Sequence, residues 1–504
     1  MLRKVKHSSL LFSILTGVLL ALAFNNGRLW IFSWFAFVPL FLALQNKSLK
    51  QTFALFLVTG IIFWLATVYW LANVTIIGTI LLILYLALYF AIFGLIIRPF
   101  TKNSNFSILF LVPSAWVLLE YLRSHLLTGF PWALLGYSQY LNLPVIQIAD
   151  IFGVWGVSFL VMLVNVAVVE IIWSFKAKLL SRLKAVLIFV AVLLFSVSFY
   201  GYSHLSSLNP KTVAQNSLKI SVIQGNIPQE SKWNPSARDL IMQSYFELTS
   251  KATKDNPDLI IWPEAALPVV LEDEPEYYSK LSEYLKTVNK PLLFGSVTQR
   301  NDLYYNSALL LSSDAQLLNR YDKLHLVPFG EYIPFRNTLK FLNTIAPIGD
   351  IARGKDYTIF KLPDYPAGFG VLICFEDVFP ELARSFVKRG AGFLINITND
   401  AWFGKTPEAY QHLAASVFRA VENRVYLARC ANTGVSAFIS PSGKIVSSLS
   451  DRGGNNIFIS GYSTDSVRIL NNKPSFYNLY GDIFPSACLL FLFYIIIFKI
   501  PRER

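Results

Sequence analysis

The chain has 504 residues, 54% of them hydrophobic, 15% aromatic and only 15% charged, which excludes an ordinary water-soluble protein of this size and points to a membrane protein. Its formal charge of +13 comes from 44 Lys and Arg against 31 Asp and Glu. Fourteen of those basic residues lie in short segments between apolar runs and at the two termini, and the remainder of the chain is neutral, so the charge gives no support to nucleic-acid binding.

In chain order, apolar windows of about 20 residues predict membrane spans near 8–24, 29–45, 53–73, 75–97, 106–122, 152–174 and 185–203, with a last one near 480–498. The expected organisation is a seven-span bundle over 1–204, a soluble domain over 217–470 and the final span. Every second connection is basic: Arg3, Lys4 and Lys6; Lys47 and Lys50; Arg98 and Lys102; Lys176, Lys178, Arg182 and Lys184; Lys499, Arg502 and Arg504. Such loops mark the cytoplasm, which puts the soluble domain outside. The opening MLRKVKHSSLLFSILTGVLLALAF also carries an Ala21-x-Ala23 pattern and reads either as a span or as a cleaved signal. The domain stays outside in both cases.

Segment 123–151 is apolar but interrupted by Gly129, Pro131, Gly136 and Pro144. It reads as an outer-face loop or partly re-entrant element with Trp132, Tyr137 and Tyr140 at the headgroup level, or as an ordinary amphipathic connector. From Leu218 onward, β-rich runs such as LKISVIQGN, DLIIWPE, PLLFGSV, YNSALLLSS, GVLICFE, GFLINIT and VSAFIS appear. They alternate with helical periodicity at 236–254, 276–288 and 410–429, which predicts a layered α/β domain.

Three strand ends carry chemistry-bearing residues: Glu264 in IIWPEAALP, Lys323 and Glu331 in YDKLHLVPFGEY, and Cys374 in VLICFED. Singly, a Glu after a strand is a solvated loop residue and a Cys in an apolar strand is a small hydrophobe. Together they make sense as a nucleophilic site. A thiol is mostly protonated at neutral pH and needs a base or a nearby cation; Glu264 can be the base and Lys323 the cation. Lys323, with the backbone N–H of Phe375, also suits an oxyanion. The rival constellation pairs Cys374 with His325 or His412. Cys488, in the last span, and Cys430, at the end of a helical segment, read as packing residues.

The order and wording of these motifs resemble the carbon–nitrogen hydrolase (nitrilase) superfamily, whose members fold as an α-β-β-α sandwich with Glu, Lys and Cys around one pocket. With the spans added, nearly the whole chain resembles the membrane-embedded lipoprotein N-acyltransferases of that superfamily, on GFPWALLGYSQ (129–139), WPEAALP (262–268), HLVPFGEY (325–332), ICFED (373–377), TNDAWFG (398–404) and NTGVS (432–436). The resemblance implies a polytopic α-helical bundle of eight spans in a bacterial inner membrane, bearing a nitrilase-like α/β domain in the periplasm. It implies ping-pong transfer of an acyl chain, typically from phosphatidylethanolamine, to Cys374 and then to the free amine of a diacylglyceryl-cysteine lipoprotein. Glu331 and Glu376 would complete the pocket by orienting the lysine and receiving protons, and Trp233 would bind substrate. Trp402 in AWFGKTPEAY and the stretch 341–349 would open the pocket toward lipid. Phe375 departs from the tyrosine that relatives often carry. No motif suggests a metal or cofactor. Two rivals remain: a membrane-tethered amidase or nitrilase that hydrolyses its substrate, and a lipid transporter with an accessory outer domain. Glu120, Arg123 and Glu170, near span ends, lend the transporter little support.

Overall fold

The computed structural model describes residues 2–99, 106–207, 217–333, 351–363, 365–469 and 473–499. Stretch 341–349 lies outside them. The chain divides into two compact units, one of Met1–Leu208, Thr406–Ala414 and Ser475–Arg504, the other of Asn209–Lys405 and Ala415–Pro474.

In the first unit, five helices of the described residues are long and apolar enough to cross a membrane: Ser8–Asn25, Leu49–Asn73, Ile76–Ile97, Ala149–Lys176 and Leu180–Ser206. Two begin at side-chain caps, Ser48 with Gln51 in a capping box and Thr75 accepting from the Gly78 N–H, each satisfying N–H groups a helix start leaves open. Five expected spans coincide with these helices. The window 29–45 instead holds the 3-10 stretch Gly27–Trp34 and a short helix Val38–Leu42, because Pro39 in the first turn of the latter suits a new start and not a continuing helix. Ile108–His125 and Ile483–Lys499 are shorter helices.

Segment 123–151 folds into short pieces, Leu135–Gln139 and Leu143–Ile146, with Trp132, Tyr137 and Tyr140 buried in the unit rather than displayed on it. Broken helix leaves backbone groups open, and in an apolar bundle only protein can satisfy them. Arg123 Nη1 donates to the carbonyls of Phe130 (2.7 Å) and Trp132 (2.8 Å), and Glu120 Oε1 accepts from the Leu135 N–H (2.6 Å). Glu170 pairs with Arg182. These ionisable groups hold the bundle together, the role a transporter reading would not give them.

The second unit is built on two sheets. The first uses β1 (Ser217–Gln224), β2 (Leu259–Ile261), β3 (Leu267–Val270), β4 (Leu292–Arg300), β5 (Leu303–Leu311) and β6 (Leu317–Asp322). The second uses β7 (Ile359–Phe360), β8 (Gly368–Ile373), β9 (Ala391–Thr398), β10 (Tyr426–Ala431), β11 (Ala437–Ile439) and β12 (Ile445–Ser448). A last strand, β13 (Gly461–Arg468), returns to the first sheet beside β1. The orders are β13-β1-β2-β4-β5-β6, with β3 on β4, and β12-β11-β10-β9-β8-β7. Both centres are parallel, β1-β2-β4 and β8-β9-β10, and β2, β8 and β10 are buried along their whole length, as parallel strands covered on both faces must be.

The sheets face each other: Cys430 on β10 places its Sγ 3.3 Å from the carbonyl oxygens of both Ile223 and Ile261. Helices Arg238–Ala252 and Pro275–Val288 cover the first sheet, packing Ile241, Tyr245, Leu281 and Leu285 with Ile260, Trp262 and Phe294. Pro380–Lys388 covers the second, its Phe386 tight against Gly370 of β8. The result is the expected helix-sheet-sheet-helix layering. One expectation changes: the helix over 408–423 ends at Arg424, which takes a left-handed φ of 54°. Cys430 therefore lies on a strand.

Candidate active site

The site lies at strand ends of the second unit. After β2, Trp262 is anchored by stacking on Tyr245 (4.9 Å) and by donating from Nε1 to Thr249 (2.9 Å), so the chain that follows leaves the sheet at a fixed place. Gly295 on the adjoining β4 allows this: a Cβ there would stand 2.7 Å from the Glu264 Cα and the Ala265 nitrogen. Glu264 is thereby pressed against the sheet and is buried.

Lys323 follows β6, its N–H bonded to the Asn306 carbonyl on β5 (2.9 Å). Its Nζ donates to Glu331 Oε1 at 3.0 Å and to Glu264 Oε1 at 3.5 Å. The Asn306 amide bridges the same two carboxylates, 2.8 Å from each, and Glu331 Oε2 accepts from the Val327 N–H. One ammonium and one amide thus hold both acids in a fixed geometry. Burial alone would depress the lysine, but the Glu331 and Glu264 carboxylates outweigh it and hold Lys323 above its ordinary value.

Cys374 closes β8 with a left-handed φ of 53°, a conformation that costs a non-glycine residue energy and persists only when its surroundings enforce it. Asn396 on β9 donates to the Cys374 and Leu372 carbonyls (3.0 and 3.2 Å). Asn396 is itself fixed by the fully buried Arg429 (2.7 Å), which also reaches Asp377 (3.0 Å) and Asp400 (3.2 Å). Asp400 accepts from Thr398 (2.9 Å). Burial pushes the Cys374 thiol well up and Glu264 adds to this, while Lys323 and a hydrogen bond from Thr398 pull it down. The balance keeps the proton on sulfur at rest, so the thiol has to ionise by handing it to a base.

Glu376, two residues past Cys374, is a buried clamp. It accepts from the Tyr321 hydroxyl and from the N–H groups of Ile373 (2.8 Å), Leu324 (2.7 Å) and His325 (3.0 Å). It ties the end of β8 to the residues next to Lys323. Burial raises its carboxyl to about 7. The His325 ring lies tilted against Phe379, their centroids 3.8 Å apart, and His412 belongs to the first unit. The Phe375 ring packs edge-on against Phe379. Trp233 and Trp402 are 44% and 48% exposed, aromatic faces left at the surface of the unit.

Asn306, Lys232, Asn396 and Arg429 were not visible as site residues in the sequence. Asn306 lies in a plain strand run, where only the register of the sheet shows which way a polar side chain points, and Arg429 ends a stretch whose periodicity reads as helix, so that only the structure puts it on β10. Lys232, next to an exposed tryptophan, has the look of a solvated loop lysine, yet it is buried and donates to the Glu264 carbonyl oxygen. Glu264 and Glu331 already share Lys323 and Asn306, a donor set suited to moving a proton beside a fixed ammonium.

An acid, a cation and a cysteine at the strand ends of a helix-sheet-sheet-helix sandwich are the arrangement of the carbon–nitrogen hydrolase class, here in a chain that also carries helices long and apolar enough to cross a membrane. Residues 219–461 match the carbon-nitrogen hydrolase profile, and residues 16–167 match that of the apolipoprotein N-acyltransferase N-terminal domain. The apolipoprotein N-acyltransferase of Geobacter metallireducens is 41% identical over 95% of this chain and 93% of its own length. That of Rickettsia prowazekii is 32% identical over 88% and 90%. A solved amidase from a Nesterenkonia species, with its active-site cysteine covalently modified, is 16% identical over 54% of this chain and 97% of that one, at a TM-score of 0.40. The chain belongs to the apolipoprotein N-acyltransferase family.

Proposed function

We propose that the protein transfers an acyl chain from a phospholipid to Cys374 and from there to the N-terminal amine of diacylglyceryl-cysteine lipoproteins, on the periplasmic face of a bacterial inner membrane. Phosphatidylethanolamine is the proposed donor. The supporting observation is the cluster of buried Glu264 and Lys323 with half-buried Glu331, joined by Asn306, in which the charges of Glu264 and Lys323 act on the Cys374 thiol.

Glu264 takes the thiol proton as sulfur attacks the ester carbonyl, and the resulting oxyanion is stabilised by Lys323 and the Phe375 N–H. Collapse expels the lysophospholipid alkoxide, which takes the proton back from Glu264 and leaves a thioester. The neutral amine of the lipoprotein then attacks, Glu264 accepts its proton, and collapse returns that proton to sulfur with the amide formed. Lys323 keeps its charge throughout: while Glu264 holds the proton, the Glu331 carboxylate and the oxyanion remain as its negative partners. Exposed Trp233 and Trp402 offer apolar faces for lipid, and keeping water from the thioester favours the amide over hydrolysis.

The test is mass spectrometry of the purified protein with phosphatidylethanolamine alone. A hydroxylamine-sensitive acyl adduct on the Cys374 peptide is expected, discharged into triacylated product when diacylated lipopeptide is added. An adduct discharged only by water makes the protein a hydrolase, and no adduct at Cys374 defeats the covalent mechanism.

A further inference from the structure

Lys232 ends the short helix Gln229–Lys232, one residue before Trp233, and is only 2% exposed. Its Nζ makes a single hydrogen bond among the described residues, to the Glu264 carbonyl oxygen at 2.9 Å. An ammonium carries three N–H donors, so this one is buried and underbonded. A charge kept so at a loss of stability is a mark of use. The ionisable groups whose charges face it are Glu264 and Cys374, the proton acceptor and donor of the proposed mechanism, in which Lys232 has had no part.

We propose that Lys232 is a positioning residue for acyl transfer: it pins the main chain of Glu264 and supplies the positive charge that lets a proton pass from Cys374 to Glu264 without leaving the pocket negative. The proposal rests on the reading of function above. At rest, the carboxylates of Glu264 and Glu331 are balanced by the ammonium groups of Lys323 and Lys232. Moving the proton shifts one negative charge from Glu264 to sulfur, and the balance is kept. With Lys232 neutral, the same transfer creates a thiolate in a pocket that already holds one uncompensated negative charge.

The two lysines are tuned in opposite directions. Lys323 is clasped by two carboxylates and held up. At Lys232 burial dominates, and against the pull of Glu264 and Cys374 it brings the ammonium down to about 8. Lys323 therefore stays charged across the working range while Lys232 loses its charge just above neutrality, which gives the enzyme an alkaline limit of its own.

The experiment uses the purified full-length protein in detergent micelles with phosphatidylethanolamine, following thioester formation from pH 6 to 10. The unmodified enzyme should lose rate on the alkaline side with a midpoint near 8. Lys232→Met should run roughly tenfold or more slower at pH 7, in the range of a lost electrostatic contact, with the loss in kcat and little change in KM for phospholipid. It should show no such limb. Lys232→Arg, whose guanidinium stays protonated, should carry the limb to higher pH. Removing an underbonded buried charge should leave the thermal midpoint of Lys232→Met at pH 7 equal to or above that of the unmodified protein. Because the folded-state value lies below the unfolded one, that penalty is fully present below about 8 and fades as pH rises toward the unfolded value near about 10.4. A purely structural role predicts a lower midpoint and an unchanged pH profile. A Lys232→Met enzyme that keeps the alkaline limb, or the ordinary rate, overturns the proposal. Alkylation of Cys374 by iodoacetamide is read in parallel and needs no acyl chemistry. At pH 7, where the unmodified protein still carries the Lys232 charge, Lys232→Met must slow it, and an unchanged rate there overturns the role of Lys232 whatever becomes of the function. An unmodified enzyme that alkylates normally but never forms a thioester would instead defeat the function.

Discussion

At the scale of single residues, the site is a problem in charge placement. Glu264→Gln keeps the shape and the bond to Asn306 but removes the proton acceptor, and Lys323→Met keeps much of the stem but removes the cation between two carboxylates. Each should lower the rate of thioester formation by about a hundredfold or more, the range for a general base or an oxyanion donor. Near-ordinary rates from either purified variant would remove that residue from the mechanism. Cys374→Ser should fold and be nearly inactive, because a serine hydroxyl is far less acidic than a thiol and a carboxylate base is too weak to activate it. Glu264, Lys323 and Cys374 are legible in the sequence only together, through the order of WPEAALP, YDKLHLVPFGEY and ICFED; Glu264 and Cys374 end apolar runs, whereas Lys323 follows the polar LLNRYD. Asn306 and Lys232 are not legible there. An Asn in YNSALLL and a Lys in ESKWNP are ordinary locally, and only long-range strand pairing and burial turn them toward the acids.

At the scale of elements, reactive groups from different strands are kept in register by buried clamps. Glu376 is the plainest: its two oxygens take up three backbone N–H groups and the Tyr321 hydroxyl, joining the β8 end to the residues beside Lys323. Glu376→Gln replaces one acceptor oxygen with an amide donor facing other donors. Each N–H left unsatisfied in the interior costs about 1–3 kcal/mol. The variant should therefore have a thermal midpoint several degrees lower, together with a loss of rate. A variant with an unchanged melting curve but no activity would show that Glu376 acts chemically and not as a clamp. Gly434 serves the Arg429 network similarly, since a Cβ there would fall 1.9 Å from Asp400 Oδ2, so Gly434→Ala should displace Asp400 and slow the enzyme. The layers themselves were legible, because parallel strands buried on both faces read as uninterrupted apolar runs. Less legible was the stretch past the helix at 408–423, where helical periodicity runs on into ARC. Arg424 turns left-handed and the chain restarts as β10, a change that periodicity does not register.

At the scale of the whole molecule, the uneven charge of the chain is explained by topology. Basic residues gather in alternate connections, and the short connections between them in the first 204 residues hold only Arg28 and Arg123, the pattern that fixes orientation during insertion. Helices Ala149–Lys176 and Leu180–Ser206 bracket one such connection, with Lys176, Lys178, Arg182 and Lys184. Within it Glu170 and Arg182 pair, so the turn is held as well as charged. Orientation then decides whether Cys374, the proposed nucleophile, meets lipoproteins that have crossed the membrane or those that have not. A reporter active only outside the cytoplasm should be silent when fused after Lys178 and active when fused after Ser206. Replacing Lys176, Lys178 and Lys184 by Gln should weaken that contrast, while leaving Arg182 to its partner. The two fusions need only one helix between them, so the result does not depend on whether the interrupted stretch 29–45 or the shorter helix Ile108–His125 crosses the bilayer. Equal signals from both sites would mean that Leu180–Ser206 does not cross, and the proposed periplasmic placement of Glu264, Lys323 and Cys374 would fall with it.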